Sequence, residues 1–242
     1  MTAVGLSACW RFYVMTLPGQ PRFAILTLAI GGDFCRDLAP LLESKRAYAE
    51  RHGYTYVQGG AEHWDRERPI AWSKVPFLLD FIAREGHKYD YIWLSDADVY
   101  ITNPDQPLTV LLERVGMPAW ADMTLNVDSW GNVNSGNMLL RPTAWVVDFF
   151  KRVWTRTDAI YHIWYENKAI IDVYSERAED KAHIYFVHDV RAFNAYVNGR
   201  PGQPMWEHGD FLVHFAGVYD TRVMVGAVRA IQAGKTPRIQ LG

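Results

Sequence analysis

The chain has 242 residues, 49% of them hydrophobic, and a formal net charge of −2. That is enough to bury a full core, and the charge gives no general pull toward nucleic acid or anionic membrane. Its two cysteines, Cys9 and Cys35, argue against a disulfide framework and read as small apolar residues rather than nucleophiles. No apolar run approaches the roughly 18 residues of a spanning helix. Residues 1–22, interrupted by Arg11 and lacking a basic start and a cleavage site, read as an irregular N-terminal extension on a soluble, cytoplasmic protein.

Strands and helices alternate along the rest. Residues 23–29 read as a buried strand closed by Gly31-Gly32, with Asp33 placed to cap a helix running through Leu38, Leu41 and Leu42 to His52-Gly53. A short strand over 54–58 leads into a charged loop over 59–69. Apolar spacing at Val75, Leu78, Leu79 and Ile82 predicts a helix over 72–84. The run 91–101 reads as a buried strand that carries Asp96 and Asp98 at its C-terminal end, followed by a turn at Asn103-Pro104 and a helix over 106–115. Next come a strand over 118–122, a polar loop over 125–134, a strand over 138–141 and an amphipathic helix over 143–154. The remaining elements are a helix over 164–177, a strand over 183–187, a turn-rich loop over 198–203, a strand over 211–215 and a helix over 221–233. No repeat or linker interrupts residues 23–242, which read as one α/β domain on a mixed or largely parallel sheet flanked by helices.

Four stretches carry chemistry. Asp96 and Asp98 stand one residue apart at a strand end, the edge where open α/β sheets bind ligands. Strand alternation puts both on one face, where they repel each other unless a cation such as Mg²⁺ or Mn²⁺ lies between them. The bland alternative is a pair of turn-capping carboxylates. Asn132-Val133-Asn134-Ser135-Gly136-Asn137 offers amides and a hydroxyl suited to sugar hydroxyls, or is a solvated turn. Glu166 and Asn167 open a helix, where a carboxylate either assists at a reacting carbon or compensates the helix dipole. His214 lies in an apolar strand and is either a third metal ligand through neutral imidazole or a buried, satisfied histidine. Lys74 and Arg222 are candidates for neutralising phosphate charge. Trp64, Trp72 and Trp130 are stacking candidates for a glycan, with core burial as the other reading.

In order and spacing these stretches resemble the galactosyl/mannosyl/xylosyltransferase family of fungal α-mannosyltransferases, α-galactosyltransferases and plant xyloglucan xylosyltransferases. The resemblance rests on Trp93-Leu94-Ser95-Asp96-Ala97-Asp98, on Asn134-Ser135-Gly136-Asn137-Met138-Leu139-Leu140-Arg141 with Trp145, on Glu166-Asn167, and on Gly209-Asp210-Phe211-Leu212-Val213-His214-Phe215-Ala216-Gly217. It implies a GT-A-type fold, a Rossmann-like mixed, mostly parallel sheet. It also implies a metal-dependent glycosyltransferase that moves a hexose or pentose from a UDP- or GDP-sugar to a glycan hydroxyl with retention of configuration. By position, Asp96, Asp98 and His214 would hold Mn²⁺ or Mg²⁺. Ala29, Lys74, Asp96, Ser135, Gly136, Gly217 and Arg222 would contact the nucleotide-sugar, and Asn134, Glu166 and Asn167 would sit at the reacting sugar. Asn167 departs from the family's usual Gln, and Val218-Tyr219-Asp220-Thr221-Arg222 replaces its basic segment. Two alternatives stay open: a haloacid-dehalogenase-type phosphatase, whose hhhhDxDxV pattern residues 91–99 also satisfy, and a non-catalytic sugar- or nucleotide-binding module.

Overall fold

The computed structural model describes residues 19–199, 202–237 and 239. Residues 1–18, most of the expected N-terminal extension, lie outside these, as do residues 200 and 201 of the expected turn-rich loop. The strands in chain order are β1 (Phe23–Leu28), β2 (Thr55–Gly59), β3 (Tyr91–Ser95), β4 (Val99–Ile101), β5 (Met123–Val127), β6 (Val133–Asn134), β7 (Asn137–Leu140), β8 (Ile184–Val187) and β9 (Leu212–His214). Seven of them form one sheet in the order β2-β1-β3-β7-β5-β6, with β8 on the other side of β5. The strands β2, β1, β3, β5 and β8 run one way, and β6 and β7 run against them. The expected mixed, mostly parallel sheet flanked by helices is therefore the architecture found. β4 and β9 form a separate antiparallel ribbon.

Two-residue alternation along the central strands builds the core on both faces of the sheet. Ala24, Leu26, Ile92, Leu94, Met138 and Leu140 pack on one face against α3 (Lys74–Glu85), α5 (Ala144–Trp154) and α6 (Tyr165–Glu176). Their neighbours Phe23, Ile25, Trp93 and Leu139 pack on the other face against α2 (Ala39–His52), α4 (Leu108–Val115) and α7 (Val190–Phe193). A third cluster joins α1 (Gly32–Asp37), α2 and α8 (Thr221–Gln232) to Val213 and Phe215. Among the described residues no helix is long and apolar enough to cross a membrane.

Several expected elements take a different form. The helix after β1 is split at Leu38, because Pro40 in the first turn of α2 has no N–H to continue the earlier ladder. Asp33 lies within the first turn of α1 and gives no side-chain cap; its carboxylate pairs with Arg36. The strand expected over 118–122 begins instead at Met123 and ends at Val127, inside the stretch expected to be loop. Its polar residues are buried and bonded: the Leu139 N–H donates to Thr124 Oγ1 at 2.9 Å, and Asn126 Nδ2 donates to the Asn137 carbonyl at 2.7 Å. The run 91–101 is not one strand. Asp96-Ala97-Asp98 forms a turn between β3 and β4, so that turn, rather than strand alternation, brings the two carboxylates together.

Candidate active site

The turn at Asp96 joins the large sheet to the β4–β9 ribbon, and backbone hydrogen bonds hold it on both sides. The Asp96 N–H donates to the Gly136 carbonyl at 2.8 Å, and the Phe215 N–H donates to the Asp98 carbonyl at 3.0 Å. Register places His214 opposite Val99, the residue after Asp98. As a result Asp96, Asp98 and His214 each offer a ligand atom within 4.8 Å of the others, with His214 Nε2 3.4 Å from Asp98 Oδ1. Two carboxylate oxygens and an imidazole nitrogen are a donor set that fits Mn²⁺, with Mg²⁺ the harder and less imidazole-tolerant choice. Burial pushes the Asp98 carboxyl up, but His214, Lys45 and Lys74 outweigh it and hold it below the ordinary aspartate range.

Two buried lysines flank the turn. The Lys74 ammonium, at the start of α3, lies 2.5 Å from Asp96 Oδ1 and 2.8 Å from Glu166 Oε1. Burial lowers Lys74, yet Asp96 and Glu166 together raise it above the ordinary lysine range. Burial raises Glu166, and Asp96 adds to that rise while Lys74 opposes it. Lys45 is fully buried in α2, and its ammonium donates to the Asp96 carbonyl at 2.5 Å and to Thr27 Oγ1 at 3.4 Å. Desolvation lowers it to about 7, against the pull of Asp98 and Asp96. Sequence reasoning missed Lys45, although it interrupts the apolar stripe Leu41, Leu42, Tyr48 and Ala49 of α2.

The remaining expected residues fall into two groups. Asn134, Ser135, Gly136 and Asn167 are joined in one network. Asn134 Oδ1 accepts from the Gly136 N–H at 2.9 Å, Asn167 Oδ1 accepts from the Ser135 N–H at 2.9 Å, and Asn167 Nδ2 donates to the Val133 carbonyl at 2.9 Å. Both ends of the Asn167 amide thus brace the kink between β6 and β7. Gly136 is required by space: a methyl there would collide with Cε1 of His214 and lie 2.9 Å from its Nε2. Ala29, buried just past β1, donates to the Gly59 carbonyl at 3.1 Å. Gly217 takes a left-handed φ of 74° in the turn after β9. Arg222 stands apart, exposed on α8 and paired with Asp220 at 2.7 Å. Of the tryptophans, Trp72 is fully buried and donates to the Ile160 carbonyl at 3.0 Å, Trp64 is partly buried, and Trp130 is 54% exposed.

The model of the galactosyl transferase GMA12/MNN10 family matches residues 36–114 and 113–222. An uncharacterized alpha-1,2-galactosyltransferase of Schizosaccharomyces pombe is 22% identical over 254 residues, covering 84% of this chain and 64% of the relative. An alpha-1,2-galactosyltransferase of the same organism is 24% identical over 248 residues, covering 84% of this chain and 64% of its own length. A probable xyloglucan 6-xylosyltransferase 1 of Oryza sativa subsp. indica is 26% identical over 113 residues, or 45% of this chain and 24% of that protein. This chain therefore spans 64% of the length of the two yeast relatives. Among solved structures, a glycosyltransferase involved in the glycosylation of the major capsid of PBCV-1 superposes with a TM-score of 0.69. That match is 18% identical and covers 88% of this chain and 100% of the other, and it bears out the expected GT-A-type fold.

Two expectations follow from this geometry. Gly136→Ala should push the His214 ring aside, weakening Mn²⁺ binding by calorimetry and costing about 1–3 kcal/mol in urea unfolding. Undiminished Mn²⁺ binding would show that the ring does not need this space. The second concerns Lys45, whose folded pKa lies below its unfolded value near 10.5. Between about pH 7 and 10.5 the unfolded chain binds the extra proton, so this group makes stability rise with pH across that window. Thermal unfolding in chelator from pH 6 to 10 should show that rise in the parent chain and a flatter profile in Lys45→Met. Parallel profiles would remove Lys45 as its source.

Proposed function

The chain belongs to the galactosyl transferase GMA12/MNN10 family, and on that footing we propose that it transfers a hexose or pentose from a nucleotide-diphosphate sugar to a glycan hydroxyl. The observation that carries this reading is the convergence of Asp96, Asp98 and His214 beside the buried Lys74–Glu166 pair. Asp96, Asp98 and His214 are the residues that would hold a divalent cation, Mn²⁺ fitting the set best. Such a cation supplies Lewis acidity toward the charge that gathers on a leaving nucleoside diphosphate. The chain's own groups supply the rest. Lys74 adds a fixed positive charge next to Asp96, in a site where burial strengthens every charge interaction. Glu166 is the buried carboxylate placed to face positive charge developing at the sugar. Retention of configuration is part of the proposal, through either a carboxylate intermediate or same-face attack.

The acceptor side has a matching surface. The loop before α6 exposes Tyr161 (80%), Ile163 (76%) and Trp164 (47%) immediately ahead of Glu166. Its start is tied down, since Tyr161 OH donates to the Glu67 carbonyl at 3.2 Å and Trp72 Nε1 donates to the Ile160 carbonyl. Aromatic faces at this position suit the C–H face of a pyranose. Family membership favours the transferase reading over the dehalogenase-type phosphatase, and a binding module without turnover is the remaining alternative.

A panel of UDP- and GDP-sugars should yield one donor that is hydrolysed with Mn²⁺ and spared in chelator. Asp98→Ala should lower that turnover on the order of 10²–10³-fold with an unchanged circular dichroism spectrum; undiminished turnover would sink the assignment. Cleavage of simple phosphate esters with Mg²⁺, and of no nucleotide-sugar, would favour the phosphatase instead. Once an acceptor is found, Trp164→Ala should raise its KM about 10-fold, in line with the loss of one stacked ring, and leave donor hydrolysis unchanged. An equal fall in donor hydrolysis would place Trp164 elsewhere in the reaction.

A further inference from the structure

Behind His214 lies a chain of buried side chains whose hydrogen-bond directions are fixed at both ends. It begins at Trp93 in β3, whose indole N–H can only donate and lies 3.0 Å from Asn137 Oδ1. That contact fixes the Asn137 amide with its NH₂ pointing away, and this NH₂ donates to Asn194 Oδ1 at 2.9 Å. The same Asn194 oxygen lies 2.9 Å from His214 Nδ1. A carboxamide oxygen accepts and never donates, so the proton belongs to Nδ1.

The far end gives the same answer independently. The backbone N–H of Gly136 donates to Asn134 Oδ1, which fixes that amide. Asn134 Oδ1 can then only accept from Asn194, whose Nδ2 lies 3.1 Å away and also reaches the Tyr196 hydroxyl at 2.7 Å. Both routes orient Asn194 identically, with its oxygen toward His214. Trp93, Asn137 and Asn194 are fully buried and His214 is nearly so, which leaves no room for water to reverse the order.

We propose that Asn194 is a positioning residue that holds His214 in the Nδ1–H tautomer and so aims the Nε2 lone pair at the space beside Asp96 and Asp98, with Trp93 setting the direction through Asn137. A metal-bound imidazole is fixed by the partner of its other nitrogen, and here that partner is an amide whose own orientation is imposed from the core of the sheet. The proposal rests on reading Asp96, Asp98 and His214 as a cation site, but its central claim, the tautomer, can be observed without any metal.

The test is ¹⁵N correlation of the imidazole nitrogens at pH 9 in chelator, with His214 assigned by loss of its signals in His214→Gln. The parent chain should show a protonated Nδ1 and a bare Nε2; the reverse pattern overturns the proposal. Asn194→Leu should release the ring to populate the Nε2–H form and weaken Mn²⁺ binding by about 10–100-fold in calorimetry. Asn194→Asp still accepts from Nδ1 and should keep the Nδ1–H tautomer, while its second oxygen, which cannot donate to Asn134 Oδ1, keeps the affinity from returning in full. An Asn194→Leu chain that binds Mn²⁺ like the parent, or an Asn194→Asp chain that shows the Nε2–H tautomer, would reject the positioning role. If Asn194→Leu fails to fold, the parent spectrum and Asn194→Asp still decide the tautomer. Failure of the parent chain to bind Mn²⁺ would count against the cation site alone, since the tautomer is read without it.

Discussion

Three carboxylates, Asp96, Asp98 and Glu166, are gathered at one edge of the sheet, and the structure of this region is shaped by holding them there. Carboxylates taken out of water repel one another and lose hydration. The chain answers from below with Lys45 on the Asp96 carbonyl and from the side with Lys74 between Asp96 and Glu166. Both lysines are drawn from helices whose other buried residues are mostly apolar. Burying an ammonium is itself unfavourable; at Lys74 the attraction of Asp96 and Glu166, strengthened by the same burial, outweighs that cost, whereas at Lys45 desolvation wins.

The backbone makes this arrangement rigid. Because Asp96 hydrogen-bonds to the β6–β7 kink and Asp98 to the start of the turn after β9, the turn between them cannot move without disturbing both the large sheet and the ribbon. The kink is equally constrained. Gly136 leaves room for the His214 ring, Asn134 closes back on the Gly136 N–H, and the Asn167 amide locks Val133 and Ser135 from α6. Side chains that a sugar-binding reading would send outward toward a ligand are here partly committed to shaping the loop that presents the site.

Much of this was legible in the sequence. Asp96, Asp98, Lys74, Glu166 and His214 stand out as polar residues in or beside apolar runs, and the structure brings all five together. What stayed hidden depends on pairing between distant strands. Asn126 reads as loop because its partner, Asn137, is fixed by sheet register rather than by local spacing. Asn194 sits just past a one-turn helix that no periodicity marks, and only the β9 register brings His214 against it. Lys45 was readable in principle, as a charge at a position where the helix stripe demands an apolar residue. Pro40 likewise carried the signal for the break at Leu38.

The charge balance gives the arrangement its direction. In the proposed Nδ1–H tautomer the imidazole brings no positive charge of its own, so the side chains of Asp96, Asp98 and Glu166 face two lysines, Lys45 and Lys74. With Lys45 lowered to about 7 by burial, even its charge is only partly present near neutrality. Three acidic side chains thus stand against two basic ones, and the imidazole lone pair points into the gap between Asp96 and Asp98. On the proposed reading, that is an arrangement in which a divalent cation would meet a deficit of positive charge. Were His214 instead protonated on both nitrogens, a cation would have to displace a proton to gain its lone pair. Fixing the proton on Nδ1, far from the carboxylates, is what keeps the place open.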